Sequence, residues 1–210
     1  MCYDVSYLTK KAERYAKQYG KKQDWEDIMK RLPPTFHASG FDEPQLPAIT
    51  GEHRGVVALD WPFLPPSFTP FGSSGRPLNT LNARDDRIFT EKSLFHEAAK
   101  HRRCVVFLDG FFDHHKKNGI VFPHYVRLKD GLPLAVAGLW QEFENTEVSR
   151  ECVTLVTTRA NKEMAWIHNE PAYSWTIGRA ERVSKRRIIW YLQIRPFRFF
   201  ESVKRGNEAL

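Results

Sequence analysis

The chain has 210 residues, 41% of them apolar and 13% aromatic, which is enough to close a core and excludes a disordered chain. Its formal charge is +7, no apolar run approaches the roughly 18 residues that span a bilayer, and no basic-then-apolar leader follows Met1. Three cysteines, odd in number and far apart, exclude a disulfide scaffold and a CxxC zinc or redox pair, and they suit a reducing cytoplasm.

Leu8, Ala12, Tyr15, Ala16 and Tyr19 fall at helical spacing, with Gly20 as the stop. A second helix is expected through Trp25, Ile28, Met29 and Leu32, ended by Pro33-Pro34. Arg54 to Trp61 reads as a strand, and Pro62 to Pro77 as a long Pro/Gly/Ser loop. A short helix over Leu94 to Ala99 precedes Cys104 to Leu108, whose CVVFL composition predicts a fully buried strand. Val121 to Leu128 and Leu132 to Leu139 flank Asp130-Gly131, a hairpin signal. Val153 to Thr158 is another β-rich run, and Asn161 to His168 reads as a short helix carrying Met164 and Ile167 on one side. The pattern is α+β, with short strands and a few helices packed outside.

The charge is unevenly placed. Residues 179–206 hold nine of the 32 Lys/Arg and two of the 25 Asp/Glu, which leaves 23 of each elsewhere. The basic character therefore belongs to the C-terminal segment, which is read either as a polyanion contact or as a solvated tail.

Chemistry begins at Cys2. An initiator Met before a small side chain is commonly removed, and that would leave an N-terminal cysteine. Its α-amine titrates near 7.7–8.0 and its thiol near 8.5, so both are partly nucleophilic at neutral pH. An aldehyde meeting the pair forms a Schiff base, which the thiol closes to a five-membered thiazolidine. The plainer reading of Cys2 is a small buried hydrophobe.

Four later segments change that balance. They are Leu81-Asn82-Ala83-Arg84; Arg102-Arg103-Cys104-Val105-Val106 running through Asp109-Gly110-Phe111-Phe112 to Asp113; Val136-Ala137-Gly138-Leu139-Trp140; and Val156-Thr157-Thr158 followed by Ala160-Asn161 and Ile167-His168-Asn169. With Met1-Cys2, in this order and spacing, residues 1–169 resemble the SOS-response-associated peptidase family, which shields abasic sites in single-stranded DNA.

The resemblance implies an α+β fold with a mainly antiparallel, bifurcated or barrel-like sheet and a few peripheral helices. It also implies a catalytic domain over 1–169 followed by a divergent basic segment over 170–210. Cys2 matches the nucleophile that traps the ring-opened sugar. Asn82 matches a carboxamide suited to holding the amine or the sugar oxygens, and Arg84 a guanidinium suited to phosphate. Outside that motif they would be a turn former and a surface charge. Asp113 stands where the family has Glu, keeping the charge on a side chain shorter by about 1.5 Å; otherwise it caps a turn before His114. His168 matches a late histidine, whose pKa near 6.5 suits proton transfer; otherwise it ends a short helix.

Trp61 and Phe63, in Trp61-Pro62-Phe63-Leu64-Pro65, are expected either to stack on unpaired bases or to fill the core. Arg76, in the Ser73-Ser74-Gly75-Arg76 segment, which reads as a flexible loop without a phosphate-loop pattern, is a further expected DNA contact. The family's Arg-Met-Pro after the histidine is absent, since the chain reads Glu170-Pro171-Ala172 after Asn169. A changed reading frame near residue 170 would account for that departure and for the basic tail.

The expected partner is single-stranded DNA containing abasic sites. The expected protein is a monomeric, nucleoid-associated, cytoplasmic enzyme with autopeptidase and lyase-like crosslinking activity, with no metal, cofactor or membrane. Asp113, His114, His115 and His124 lack metal-ligand spacing. The alternatives are a non-catalytic nucleic-acid-binding module that uses the basic C-terminal segment, or a catalytically impaired member of the family.

Overall fold

The computed structural model describes residues 3–64, 79–144, 149–160, 164, 173–175, 179–184 and 187–191, the last three stretches as backbone. In chain order the elements are β1 (Asp4–Tyr7), α1 (Ala12–Ala16), α2 (Lys22–Arg31), β2 (Thr35–Ser39), a 3-10 turn (Gly40–Asp42), β3 (Gln45–Thr50) and β4 (Val57–Asp60). They continue with β5 (Asn82–Arg84), α3 (His96–His101), β6 (Arg103–Leu108), β7 (Gly110–Lys117), β8 (Ile120–Val126), β9 (Leu134–Glu144) and β10 (Ser149–Arg159). Last come β11 (Tyr173–Trp175), β12 (Arg179–Ser184) and β13 (Arg187–Tyr191), the final two pairing as an antiparallel hairpin.

Two sheets form the body. In one, β3 lies between β4 and β6, β6 pairs β9, and β9 pairs β10. Strand β10 returns to β4, so β10, β4, β3, β6 and β9 close into a five-stranded barrel. The β10 pairings with β4 and β5 are parallel and the other barrel pairings antiparallel. The second sheet has the order β2-β1-β7-β8, antiparallel throughout. This is the α+β class that the sequence pattern predicts, with the barrel-like sheet that the resemblance implies.

The residues explain the closure. Five of the six β6 residues are buried, and the first eight of β9, LAVAGLWQ, are buried as well. Strands enclosed on both faces read as continuous apolar runs, because neither face meets water. At Gly138 a Cβ would stand 2.7 Å from Cys104 Sγ and 3.3 Å from Thr154 O, so only glycine lets β6, β9 and β10 approach this closely.

Helices α1 and α2 cover one end of the core. Trp25 stacks on Tyr15 at 4.8 Å between centroids and meets Phe107 edge-on at 4.9 Å, while its indole N–H donates to Tyr19 O at 2.7 Å.

Several expectations need correction. The first helix begins at Ala12 and not at Leu8, which adopts φ 54°, and it is over before Tyr19. Nor is Gly20 the stop: the helix ends at Ala16 with Lys17 as its cap, and Gly20, at φ 75°, lies in the turn beyond. The strand and helix expected at Arg54–Trp61 and Leu94–Ala99 are narrowed to β4 and shifted to α3. Asp130-Gly131 forms its turn, with Gly131 N–H donating to Leu128 O at 3.1 Å, yet the flanking strands do not pair. Strand β8 pairs β7 in one sheet and β9 pairs β6 and β10 in the other. The true hairpin of this region turns at Asn118-Gly119, both at positive φ. The expected helix over Asn161–His168 lies outside the described residues except for Met164, a buried turn residue; most of the Pro62–Pro77 loop also lies outside them.

Candidate active site

The start of β1 lies against the strand that carries Asp113. Asp4 pairs with Phe112, Val5 with Phe111 and Ser6 with Gly110, so Asp113 lies one step past the last β1 pair, at the level of the residue before Asp4. Pleating sends alternate side chains to opposite faces. Phe111 is buried with Val5 and Val126 on the inner face, and Asp113 follows it there at 2% exposure. One carboxylate oxygen of Asp113 accepts the His114 N–H at 2.9 Å, and His124 stands directly across on β8. Asp113 is a strand residue rather than a turn cap.

Glycine sets this strand crossing. A Cβ on Gly110 would stand 2.4 Å from the Tyr125 ring and 2.6 Å from Val126 O, so the Tyr125 ring lies flat over the start of β7. The Tyr125 hydroxyl shares a 2.6 Å hydrogen bond with Ser6 Oγ, tying β8 to β1 across β7.

The second wall comes from the chain around β5. Asn82 opens β5 at 8% exposure, and β5 runs parallel to β10 with Asn82 opposite Leu155. Leu81 O accepts the Trp61 indole N–H at 2.8 Å and the Leu155 N–H at 3.2 Å. Gly40 holds this wall to β1: its N–H donates to Tyr3 O at 2.7 Å, and a Cβ there would meet Leu81 at 2.7 Å and the Trp61 ring at 2.9 Å. Asn79 reaches the Tyr3 hydroxyl at 3.5 Å. Asn82 and Asp113 therefore belong to the two segments that border the beginning of β1.

Arg84 is part-exposed and engages Asp86 through two bonds, Nε–Oδ1 at 3.0 Å and Nη2–Oδ2 at 2.6 Å. Trp61 and Phe63 are both 0% exposed. Trp61 belongs to the main core, and Phe63 packs against Phe95 in a second cluster with Ala83, Ile88, Leu139 and Val156. Neither presents a ring face to a base, so the stacking expectation for these two is corrected to core packing. Cys2, His168 and Arg76 lie outside the described residues.

The other two thiols are chemically quiet. Burial pushes the Cys104 thiol far up and the Cys152 thiol up to about 11. The Cys152 sulfur is enclosed by Leu64 N–H at 3.1 Å and Gln141 O at 3.5 Å. Among the described residues no group of three or more His, Cys, Asp or Glu side chains converges as a metal site.

Sequence reasoning passed over Asp109. It ends β6 at 1% exposure and accepts from Thr9 N–H, Thr9 hydroxyl, Lys10 Nζ and Tyr15 hydroxyl, at 2.7, 2.6, 2.8 and 2.7 Å. The Tyr15 hydroxyl is pushed well up by burial and by the Asp109 charge. A charged residue closing the apolar run CVVFL was the available signal, because a carboxylate in that position must be heavily hydrogen-bonded. Asp109 fixes the chain that leaves β1 at Thr9 and Lys10.

The family model described as SOS response associated peptidase matches residues 1–174. The chain belongs to this family. Curated relatives include the abasic site processing protein HMCES of Xenopus tropicalis, 29% identical over 136 residues, and the abasic site processing protein YMR114C of Saccharomyces cerevisiae, 25% identical over 145 residues. Those matches cover 55% and 68% of this SOS response associated peptidase chain, and 40% and 36% of the two relatives. The fold also matches crystal structures of proteins from Bacteroides thetaiotaomicron and Bordetella bronchiseptica. Their TM-scores are 0.70 and 0.63 at 23% and 19% identity, over 84% of this chain and 77% and 83% of those chains. No helix among the described residues is long and apolar enough to cross a membrane.

Proposed function

We propose that this family member processes abasic sites in single-stranded DNA by trapping the open sugar on Cys2. Autoprocessing comes first: water adds across the Met1–Cys2 peptide bond, methionine leaves, and Cys2 gains a free α-amine. The abasic sugar is then opened. Asp113 gives a proton to the ring oxygen, His168 takes one from the C1′ hydroxyl, and the products are an aldehyde at C1′ and a hydroxyl at C4′. The α-amine adds to C1′, and the adduct loses one water to become an imine. The thiol adds across the C=N bond, sulfur to carbon and proton to nitrogen, and closes the thiazolidine. One water is released per crosslink, and no oxidant takes part.

Asn82 holds the amine or the sugar oxygens, while Arg84 and Arg76 contact phosphates. The protein meets DNA as a monomer in the cytoplasm. The observation that carries this reading is the β1–β7 register. Two residues of chain span at most about 7 Å, so an amine at position 2 stays within that distance of Asp4, which pairs with the residue before the buried Asp113. The quiet Cys104 and Cys152 thiols support Cys2 as the reactive one.

The test is denaturing gel electrophoresis after mixing with abasic single-stranded DNA. The expected result is a retarded species that is absent in Cys2→Ala and in protein retaining Met1. A retarded species of equal yield in Cys2→Ala would overturn the reading. Salt-sensitive binding with no retarded species would instead favour a module that grips DNA through the basic segment at 179–206.

A further inference from the structure

Strands β7 and β8 outrun their own sheet. The last β1 pair is Asp4–Phe112, whereas β7 and β8 stay paired from Phe111–Val126 to Lys117–Ile120. Among the described residues, 114–123 thus form a two-stranded ribbon beyond the last β1 pair that turns at Asn118-Gly119. Its apolar residues are exposed on both faces: Ile120 is 59% exposed, Val121 47% and Phe122 43%. Such side chains on a projecting edge strand invite aggregation unless they have a use. Between them the ribbon carries His114, His115, Lys116 and Lys117, with His124 at its base and no Asp or Glu from 114 to 124. The rest of the chain up to residue 178 carries balanced charge, so this patch is locally basic.

We infer that the ribbon is a DNA-binding arm, which grips the single strand flanking the abasic site through Lys116 and Lys117 on phosphates and Phe122 and Ile120 on bases. The inference rests on the trapping reading for its substrate and on charge complementarity for its partner. A ribbon that interleaves cations with apolar side chains, with no Asp or Glu in its own sequence from 114 to 124, suits a polyanion that also presents flat bases. The pleat decides which of these side chains share a face. Lys117, Ile120, His115 and Phe122 share the face of Asp113, while Lys116 and Val121 share the opposite face, as the cross-strand pairs Lys117–Ile120, His115–Phe122 and Lys116–Val121 require.

Length sets the footprint. The five steps from Asp113 to Asn118 extend roughly 17 Å, which spans about five stacked nucleotides at 3.4 Å each. The arm therefore reads strand on one side of the damaged sugar only.

The test compares the full-length wild type with two separate double variants, Lys116→Glu/Lys117→Glu and Ile120→Ser/Phe122→Ser. Circular dichroism and melting temperature check the fold, and the exposure of all four sites predicts no loss. The probes are undamaged single strands and abasic strands with two to ten nucleotides on either side. Wild-type crosslinking at limiting protein should rise with flank length on one side and level off near five nucleotides. Both variants should lose that rise while crosslinking fully at saturating DNA. On undamaged strand the lysine variant should lower the log–log salt slope by about 1.4, and the apolar variant should weaken binding about tenfold.

Unchanged flank dependence and unchanged undamaged-strand binding in both variants would overturn the arm. So would variants that alter only self-association in sedimentation, since the ribbon would then be a contact between copies of this chain. If the wild type forms no crosslink at all, the trapping reading fails, and the undamaged-strand measurements still decide the arm.

Discussion

Tyr15 donates its hydroxyl proton to Asp109 Oδ1 at 2.7 Å, and this buried bond joins the first helix to the junction of β6 and β7. The same carboxylate receives Lys10 and both donors of Thr9, so one side chain organises the turn after β1. Asp109→Ala would strand the Tyr15 hydroxyl and both Thr9 donors and free the part-exposed Lys10, and it is expected to lower stability by about 3 kcal/mol through the unmade hydrogen bonds. Tyr15→Phe removes one donor and should cost about 1–2 kcal/mol. Urea unfolding at pH 7 checks both through the midpoint at constant m-value. Equal effects of the two substitutions would show that the carboxylate is not the hub.

The two buried thiols predict a loss of stability in alkali. Cys104 is raised by burial, and Cys152 is raised to about 11. In the unfolded chain a thiol ionises near 8.5, so above that pH the unfolded state sheds a proton that the native state keeps. Stability is then level below about pH 8 and falls by about 1.4 kcal/mol per pH unit for each thiol as the pH rises toward 11. Cys152→Ala should remove one thiol's share of that slope between pH 9 and 11, measured by urea titrations at pH 8, 9 and 10. In native protein at pH 8, iodoacetamide should label Cys2 and spare the other two until denaturant is added.

Gly110→Ala should be among the most damaging single methyl additions. The added carbon meets Val126 O, a backbone atom, as well as the Tyr125 ring, so no rotamer change relieves it. The expected cost is about 3 kcal/mol, at the upper end for overpacking. Because the strand displaced is the one bearing Asp113, crosslinking per folded molecule should fall too. Tyr125→Ala in the Gly110→Ala background should recover only part of the stability, since the carbonyl remains.

Arg84 and Asp86 offer a test of phosphate binding. If the guanidinium grips DNA, the carboxylate competes with phosphate for the same fork. Asp86→Ala should then tighten binding to single-stranded DNA several-fold, and Arg84→Ala should weaken it about tenfold. Fluorescence anisotropy at two salt concentrations reads both. Weaker binding in Asp86→Ala would mean that the carboxylate orients the arginine rather than competing for it.

Much of this fold could be read from local pattern. The buried strand β6 shows as CVVFL, and α2 shows in the spacing of Trp25 and Ile28. What local pattern does not carry is partner choice. Asp130-Gly131 specifies a turn and gets one, but long-range packing sends its two strands to different sheets. The Asn118-Gly119 signal was equally strong and marks the strands that do pair. Trp61 and Phe63 illustrate the same limit, because an aromatic side chain suits both a base and a core, and only the surrounding residues decide between them. The order of the motifs, by contrast, led to Asn82 and Asp113, which the fold brings to the two segments bordering β1.

The barrel has its seam at β10, which pairs with β9 along one edge and with β4 and β5 along the other. The ring shuts through residues 149–155 on β9 and Cys152 on β4, so without them β9 and β4 would both expose unfilled ladders of amide and carbonyl groups. A chain that stops ahead of residue 149 lacks β10 altogether, and its two open edges would make it a sticky fragment rather than a smaller working protein.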